Sequence, residues 1–270
     1  MKIYDCFTFF NELDVLEVRL EELYPYVDHF VLVESKISVN GKTRDTMYFQ
    51  ENMKRYEKYM DKIIYIYDTD APQPGPGGWD TENHHRNCIV RGLTNASPED
   101  IILISDLDEI PHPQNFPFLL GDRFKEDMAI GFSHMHHNYF VNIVSPINPC
   151  VGTVATKKIT LDKVNPQYFR NVKNNIARFA LGGWHLSYMG GVEKIWTKFL
   201  NSTSPDVNNP EEIPPPEVIK EILKKRLKQG QFNLRHDLDH LVIFVKNPFL
   251  PSSLTKEKYP HLFLDNLDSI

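Results

Sequence analysis

Cysteine is scarce in this chain, a basic excess is absent, and no hydrophobic run is long. The three cysteines, Cys6, Cys88 and Cys150, stand far apart in sequence. They make neither the dense framework of a disulfide-stapled domain nor a Cys-x-x-Cys metal motif, so three buried, unbridged thiols are expected. Thirty Lys and Arg against 36 Asp and Glu give a formal charge of −6, which excludes the electropositive surface that nucleic-acid binding requires. No segment approaches the roughly 18–20 consecutive apolar residues that span a bilayer. Asp5 interrupts the region that a signal peptide needs apolar. The expectation is a soluble, cytoplasmic protein with no transmembrane segment. What is present is a globular balance, 41% apolar and 24% charged over 270 residues, enough for one large core.

The first part of the chain alternates strand and helix. Apolar runs at Ile3–Phe10, His29–Glu34, Lys62–Asp68 and Asp100–Asp106 read as buried strands. Between them, Leu13, Leu16, Leu20 and Leu23 share a helical face closed by Pro25. Met53, Tyr56 and Met60 make a second short helix, and Thr81 to Leu93 a third. Continuous apolar strands separated by helices predict a mostly parallel α/β sheet covered on both faces. Beyond it, Met128–Val144 and Val151–Leu161 read as longer strands, added antiparallel. Gly190-Gly191 leads into a helix ending near Leu200, and Pro214-Pro-Pro216 into a basic amphipathic helix. That helix, Lys220 to Lys228, is read as a solvated face. The tail beyond it has no assigned structure. We read one domain over residues 1–270, with a nucleotide-binding half (1–110) and an acceptor-side half (111–270). The segment Asp70-Ala-Pro-Gln-Pro-Gly-Pro-Gly-Gly-Trp79 cannot form regular structure; it is a connection or a substrate lid at the edge where such sheets bind ligands.

The stretch richest in chemistry is Ile101-Ile-Leu-Ile-Ser-Asp-Leu-Asp-Glu-Ile-Pro111. A buried strand runs into Asp106, Asp108 and Glu109 where the chain must turn, aiming carboxylates at the crevice beyond the strand end. Bringing them together in a dry crevice is costly without a counter-ion. An oxygen-rich site with room for water suits Mg²⁺ or Mn²⁺, ions that bridge a diphosphate. Three readings follow: a nucleotide-sugar transferase, a phosphotransfer enzyme (phosphatase or nucleotidyltransferase) using the Asp106/Asp108 pair, and a non-catalytic carbohydrate-binding protein on the same scaffold. Glu109-Ile110-Pro111 replaces the small pair usual after a phosphatase nucleophile, which favours the first.

Five ordered blocks carry a family resemblance: Tyr4-Asp-Cys-Phe-Thr-Phe-Phe-Asn-Glu-Leu-Asp14, Phe30-Val-Leu-Val-Glu34, Arg86-Asn87, the segment Asp100 to Pro111, and Gly183-Trp-His-Leu-Ser187. Together they resemble glycosyltransferase family seventeen, the β-1,4-mannosyl-glycoprotein β-1,4-N-acetylglucosaminyltransferases, over roughly residues 3 to 200. The resemblance implies a GT-A-like fold, a UDP-sugar donor (UDP-GlcNAc in the animal enzymes), a divalent metal and inverting transfer to a glycan or other carbohydrate acceptor. His85 departs from the pattern, standing where the family tends to carry Gln.

With that resemblance, Asp106 and Asp108 are the expected metal and diphosphate residues, and His185, beside glycines that allow close approach to a ligand, the third metal ligand. Glu109 either orients those ligands or opens a helix. Glu12, Glu34, Arg86 and Asn87 are donor-binding candidates, with structural ion pairs as the alternative. An inverting displacement needs a base for the acceptor hydroxyl; Glu193 is the first candidate, ahead of Asp237 and Asp239. Trp184 stacks on a sugar or fills the core. Alternation puts His134 and His136 on one strand face and His137 on the other, which argues against a three-histidine metal site. The sequons at Asn95 and Asn201 carry no weight without a secretory signal.

Overall fold

The computed structural model describes residues 1–74, 79–201, 213–231, 242–246, 248–266 and 270, with side chains omitted at 146–149. Its first four strands are β1 (Ile3–Phe9), β2 (His29–Ser35), β3 (Ile63–Asp68) and β4 (Ile101–Asp106). They lie parallel in the order β3-β2-β1-β4. β1, β2 and β4 are largely apolar because both of their faces are covered, whereas β3, at the edge, is only partly buried. Phe7, Phe30, Leu32 and Leu103 point to one side, where α1 (Leu13–Leu23) packs Val15, Leu16, Leu20 and Leu23 against them. Tyr4, Cys6, Val31, Val33, Ile102 and Ile104 point to the other, onto Cys88, Ile89 and Leu93. The connections are short helices: α2 (Tyr48–Glu51) with the 3₁₀ turn Met53–Tyr59, and α3 (Trp79–Asn87) with the 3₁₀ turn Cys88–Gly92.

Beyond the motif come β5 (Glu109–Pro111), α4 (Phe116–Leu119), β6 (Ala129–Asn138) and β7 (Phe140–Lys157). Then follow α5 (Lys158–Leu161), α6 (Pro166–Val172), β8 (Arg178–Ser187), α7 (Val192–Leu200), α8 (Pro216–Lys228) and β9 (Ile243–Phe244). Among the described residues, one sheet of nine strands continues from β4 through β7, β6 and β8 to β5, with β9 on β7. The β4–β7, β7–β6 and β8–β5 pairs are antiparallel, while β6–β8 is parallel. A second apolar cluster seats Ile195 and Phe199 of α7 and Ile219, Leu223 and Leu227 of α8 against Phe140 and Ile143.

Three elements differ from the sequence expectation. The strand read over Met128–Val144 breaks at Tyr139, whose φ of 65° is a left-handed conformation that ends one strand and starts the next. The end of the second expected strand, Lys158–Leu161, is the helix α5. Helix α6 was not anticipated, although Asn165 caps it through Tyr168 N (2.9 Å) with Pro166 at its first position, a recognisable start signal. Asp237, Asp239 and positions 75–78 of the Pro/Gly loop lie outside the described residues.

Candidate functional site

Strand β4 delivers Asp106 to the carboxyl edge of the parallel strands, Leu107 and Asp108 turn the chain, and Glu109 opens β5. Pairing of β5 with β8 sets Glu109 opposite His185. The turn is held from beneath by Arg19, which is fully buried in α1. Its guanidinium donates to the carbonyls of Asp106 (2.9 Å), Leu107 (2.9 Å) and Glu109 (3.1 Å) and to Ser105 Oγ (2.6 Å). Its charge is matched by the buried Asp5 carboxylate of β1 through a two-point contact at 2.6 and 2.8 Å. Three carbonyls converging on one planar donor fork fix the turn that carries the acidic motif.

Above this turn opens a cleft of about 300 Å³ whose wall includes Thr8, Phe10, Glu12, Arg44, Arg86, Asp106, Asp108, Glu109, Arg170, His185 and Lys198. Asp106 Oδ1 accepts from Arg86 (2.8 Å) and Oδ2 from Arg170 (2.7 Å). Glu109 Oε2 accepts from Arg170 (2.6 Å) and from the Asp106 amide (2.9 Å), and Lys173 stands 3.7 Å from Oε1. Asp108 Oδ2 accepts from Lys198 (3.1 Å), which also lies 3.6 Å from Glu12, and Asp108 Oδ1 is 3.6 Å from His185 Nε2. Burial alone would raise all three carboxyls. Arg170 and Arg86 outweigh it at Asp106, Lys198 and His185 at Asp108, and Arg170 and Lys173 at Glu109, so each is held below the ordinary range. For His185, burial is outweighed the other way: Asp108 and Cys150 raise it well above the usual value. The sequence argument gave the task of balancing these carboxylates to a divalent cation; here the protein's own Arg86, Arg170, Lys173 and Lys198 perform it.

The fit for Mg²⁺ or Mn²⁺ is therefore uneven across the motif. Asp108 Oδ1 and His185 Nε2, 3.6 Å apart, are spaced so that one ion with bonds of about 2.0–2.2 Å reaches both. Asp106 has each oxygen on a guanidinium group, Oδ1 on Arg86 and Oδ2 on Arg170. On its far side, His185 Nδ1 meets Cys150 Sγ at 3.0 Å, and its ring stacks on His136 with centroids 4.5 Å apart.

Glu12, Arg86, Asp106, Asp108 and His185 thus share one cleft; Glu34, Asn87 and Glu193 do not join it. Glu34 is buried beneath it, accepting from the Phe49 amide (2.9 Å) and the Tyr65 hydroxyl (2.8 Å). Asn87 Oδ1 accepts from the Gln167 amide at 3.1 Å. Glu193 is exposed in the first turn of α7. Arg86 directs its two terminal nitrogens to Glu82, Asp106 and Gln167, and its buried Nε has no hydrogen-bond partner among the described residues. The glycines before His185 serve strand packing instead of ligand approach: a Cβ on Gly182 would lie 2.4 Å from Ser133 N, and one on Gly183 2.1 Å from Ile110 O. Trp184 is core, buried and stacked on His112 at 4.8 Å. His137 turns away from His136, its Nδ1 2.6 Å from Val141 O. Arg19, Arg170, Lys173, Lys198 and Cys150 were not anticipated from sequence.

The human β-1,4-mannosyl-glycoprotein 4-β-N-acetylglucosaminyltransferase is 27% identical, the match covering 73% of this chain and 42% of that protein. The rat enzyme of the same name matches to the same extent. The chain thus spans less than half the length of these curated relatives. Among solved structures, the mannosyltransferase PcManGT from Pyrobaculum calidifontis, in complex with GDP-Man and Mn²⁺, has a TM-score of 0.44 and 12% identity over 86% of this chain and 66% of that one. The model of glycosyltransferase family 17 matches residues 1–198, and the chain belongs to that family.

Proposed function

We propose that the protein is a metal-dependent, inverting glycosyltransferase that moves a sugar, GlcNAc in the first instance, from a UDP-sugar to a hydroxyl of a glycan or other carbohydrate acceptor. The observation that carries this reading is the seating of Asp108 opposite His185 at the mouth of β4, inside a cleft lined by cations. Asp108 and His185 would hold Mn²⁺ or Mg²⁺, which when bound supplies positive charge for the departing UDP. The names of the relatives support GlcNAc as the transferred sugar.

The chain's own residues prepare the rest. Arg19 holds the Asp106–Glu109 turn rigid, so the donor meets a preformed edge and not a loop that must order on binding. Arg170 bridges Asp106 and Glu109 and keeps both carboxylates ionised. Lys198 sits between Asp108 and Glu12, where its ammonium faces the space that an anionic diphosphate would enter. Glu12, at the start of α1, and Phe10 supply polar and aromatic surface on the β1 side of the same cleft. Incubating the purified chain with UDP-GlcNAc, UDP-glucose and UDP-galactose tests the reading. UDP release stimulated by Mn²⁺ is expected from at least one donor. Silence across the panel, with no heat of donor binding, overturns it.

A further inference from the structure

Away from the cleft, where β3 runs out, the chain gathers a second set of ligating side chains. We propose that Asp68, Asp70, His84 and Cys88 form a structural zinc site that ties the end of β3 to α3. Asp68 and Asp70 alternate along the strand exit. His84 and Cys88 are four residues apart on one continuous helical run, and so share a face.

Three of the four donor atoms already form one face of a tetrahedron. Asp68 Oδ1 lies 3.1 Å from His84 Nε2 and 3.6 Å from Cys88 Sγ, and the last two are 3.3 Å apart. Zinc bonds of about 2.0–2.3 Å set tetrahedral edges of roughly 3.3–3.7 Å. Asp70 Oδ1 stands outside this close trio, 3.9 Å from His84 Nε2, and on metal binding would turn inward to supply the fourth corner. The donor set of one thiolate, one imidazole and two carboxylates selects zinc over the hard cations suited to the cleft. Asp68 is fully buried, and its other oxygen accepts from Ser35 Oγ at 2.8 Å, which leaves Oδ1 aimed at the cluster. Partly exposed His84 and exposed Asp70 give the ion a way in.

Arg91 now provides the counter-charge, 3.1 Å from Asp68 and 3.0 Å from Asp70; His85 Nε2 is 4.0 Å from Asp68 Oδ2. Binding sends the Cys88 thiol proton to solvent. Three anionic ligands on Zn²⁺ then leave one negative charge, which Arg91 neutralises from its place on Asp70. The neighbours of these ligands on α3, Glu82, His85 and Arg86, line the cleft, so the ion would pin the helix that forms its wall. The inference does not depend on the transferase reading.

Cobalt is the probe. Metal-free full-length protein titrated with Co²⁺ is expected to bind one equivalent that shows tetrahedral d–d bands with a thiolate-to-cobalt charge-transfer band, both removed by Zn²⁺. Cys88→Ser abolishes the charge-transfer band, whereas Cys150→Ser keeps it. His84→Gln weakens binding by more than the about 10–100-fold typical of losing an outer-shell partner. It carries the comparison if Cys88→Ser does not fold. A folded wild type without the band overturns the proposal, as does a band that survives Cys88→Ser or disappears in Cys150→Ser.

Discussion

His185 Nε2, on β8, stands 3.6 Å from Asp108 Oδ1, in the turn that precedes β5. Its other ring nitrogen meets Cys150 Sγ at 3.0 Å. One imidazole therefore spans from the cleft to a thiol behind it. With Nδ1 turned to the sulfur, Nε2 is the nitrogen that faces Asp108 and the cleft, the one a metal would take in place of its proton.

Cys150 should accordingly act by orienting His185. Cys150→Ala is expected to raise the Mn²⁺ concentration for half-maximal activity by about 10-fold, with kcat nearly restored at saturating Mn²⁺. Metal titration of the initial rate separates this from a general loss of activity, which would lower kcat at every metal concentration.

Arg19 predicts a large stability effect far from solvent. Arg19→Met removes the ion-pair partner of buried Asp5 and the donor shared by three carbonyls. A buried charge stripped of its partner costs about 3–5 kcal/mol, to be measured by urea denaturation. A change below about 1 kcal/mol would mean that the pair behaves like an exposed one.

Gly152 is a steric test of the motif's support. A Cβ there would lie 2.3 Å from His134 Nδ1 and 2.9 Å from Glu109 Cβ. Gly152→Ala is expected to cost about 1–3 kcal/mol by overpacking and to weaken donor binding by displacing Glu109. Thermal denaturation and donor calorimetry measure the two effects separately.

Acid should unfold the protein earlier than its carboxylates alone would dictate. Burial pushes His134 and His136 down to about 3 and His85 and His137 down to about 4, from an ordinary 6.5. The unfolded chain then binds more protons than the folded one between those values. Stability from these groups is complete above pH 6.5 and is lost as pH falls through the folded values, on the order of 3–5 kcal/mol for each histidine. Urea midpoints measured from pH 7 to pH 4 should fall steeply, and a His137→Asn variant should flatten the slope.

Much of the parallel half was legible because its strands are buried on both faces and therefore continuously apolar. Ile101 to Ser105 pointed directly at Asp106 and Asp108 for that reason. Arg19 was legible but unread: it occupies the same helical stripe as Leu16, Leu20 and Leu23, and a charge on a buried stripe next to Asp5 in a buried strand calls for a pair. Arg170 and Lys198 were harder, since each reaches the motif only through the folding of β7, β6 and β8, and no local spacing encodes that. Glu34 misled because a carboxylate at a strand end looks the same in sequence whether it faces a ligand or, as here, the Phe49 amide and the Tyr65 hydroxyl.

The central claim is that Asp108 and His185 hold a divalent cation that anchors the nucleotide. Calorimetric titration of UDP into the purified chain, with and without Mn²⁺, tests it most directly. Mn²⁺ is predicted to tighten UDP binding by about 10-fold or more, that is about 1.4 kcal/mol. The gain should vanish in Asp108→Ala and His185→Ala and persist in Glu193→Gln. Equal UDP affinity with and without Mn²⁺, or a gain that survives Asp108→Ala, contradicts the account.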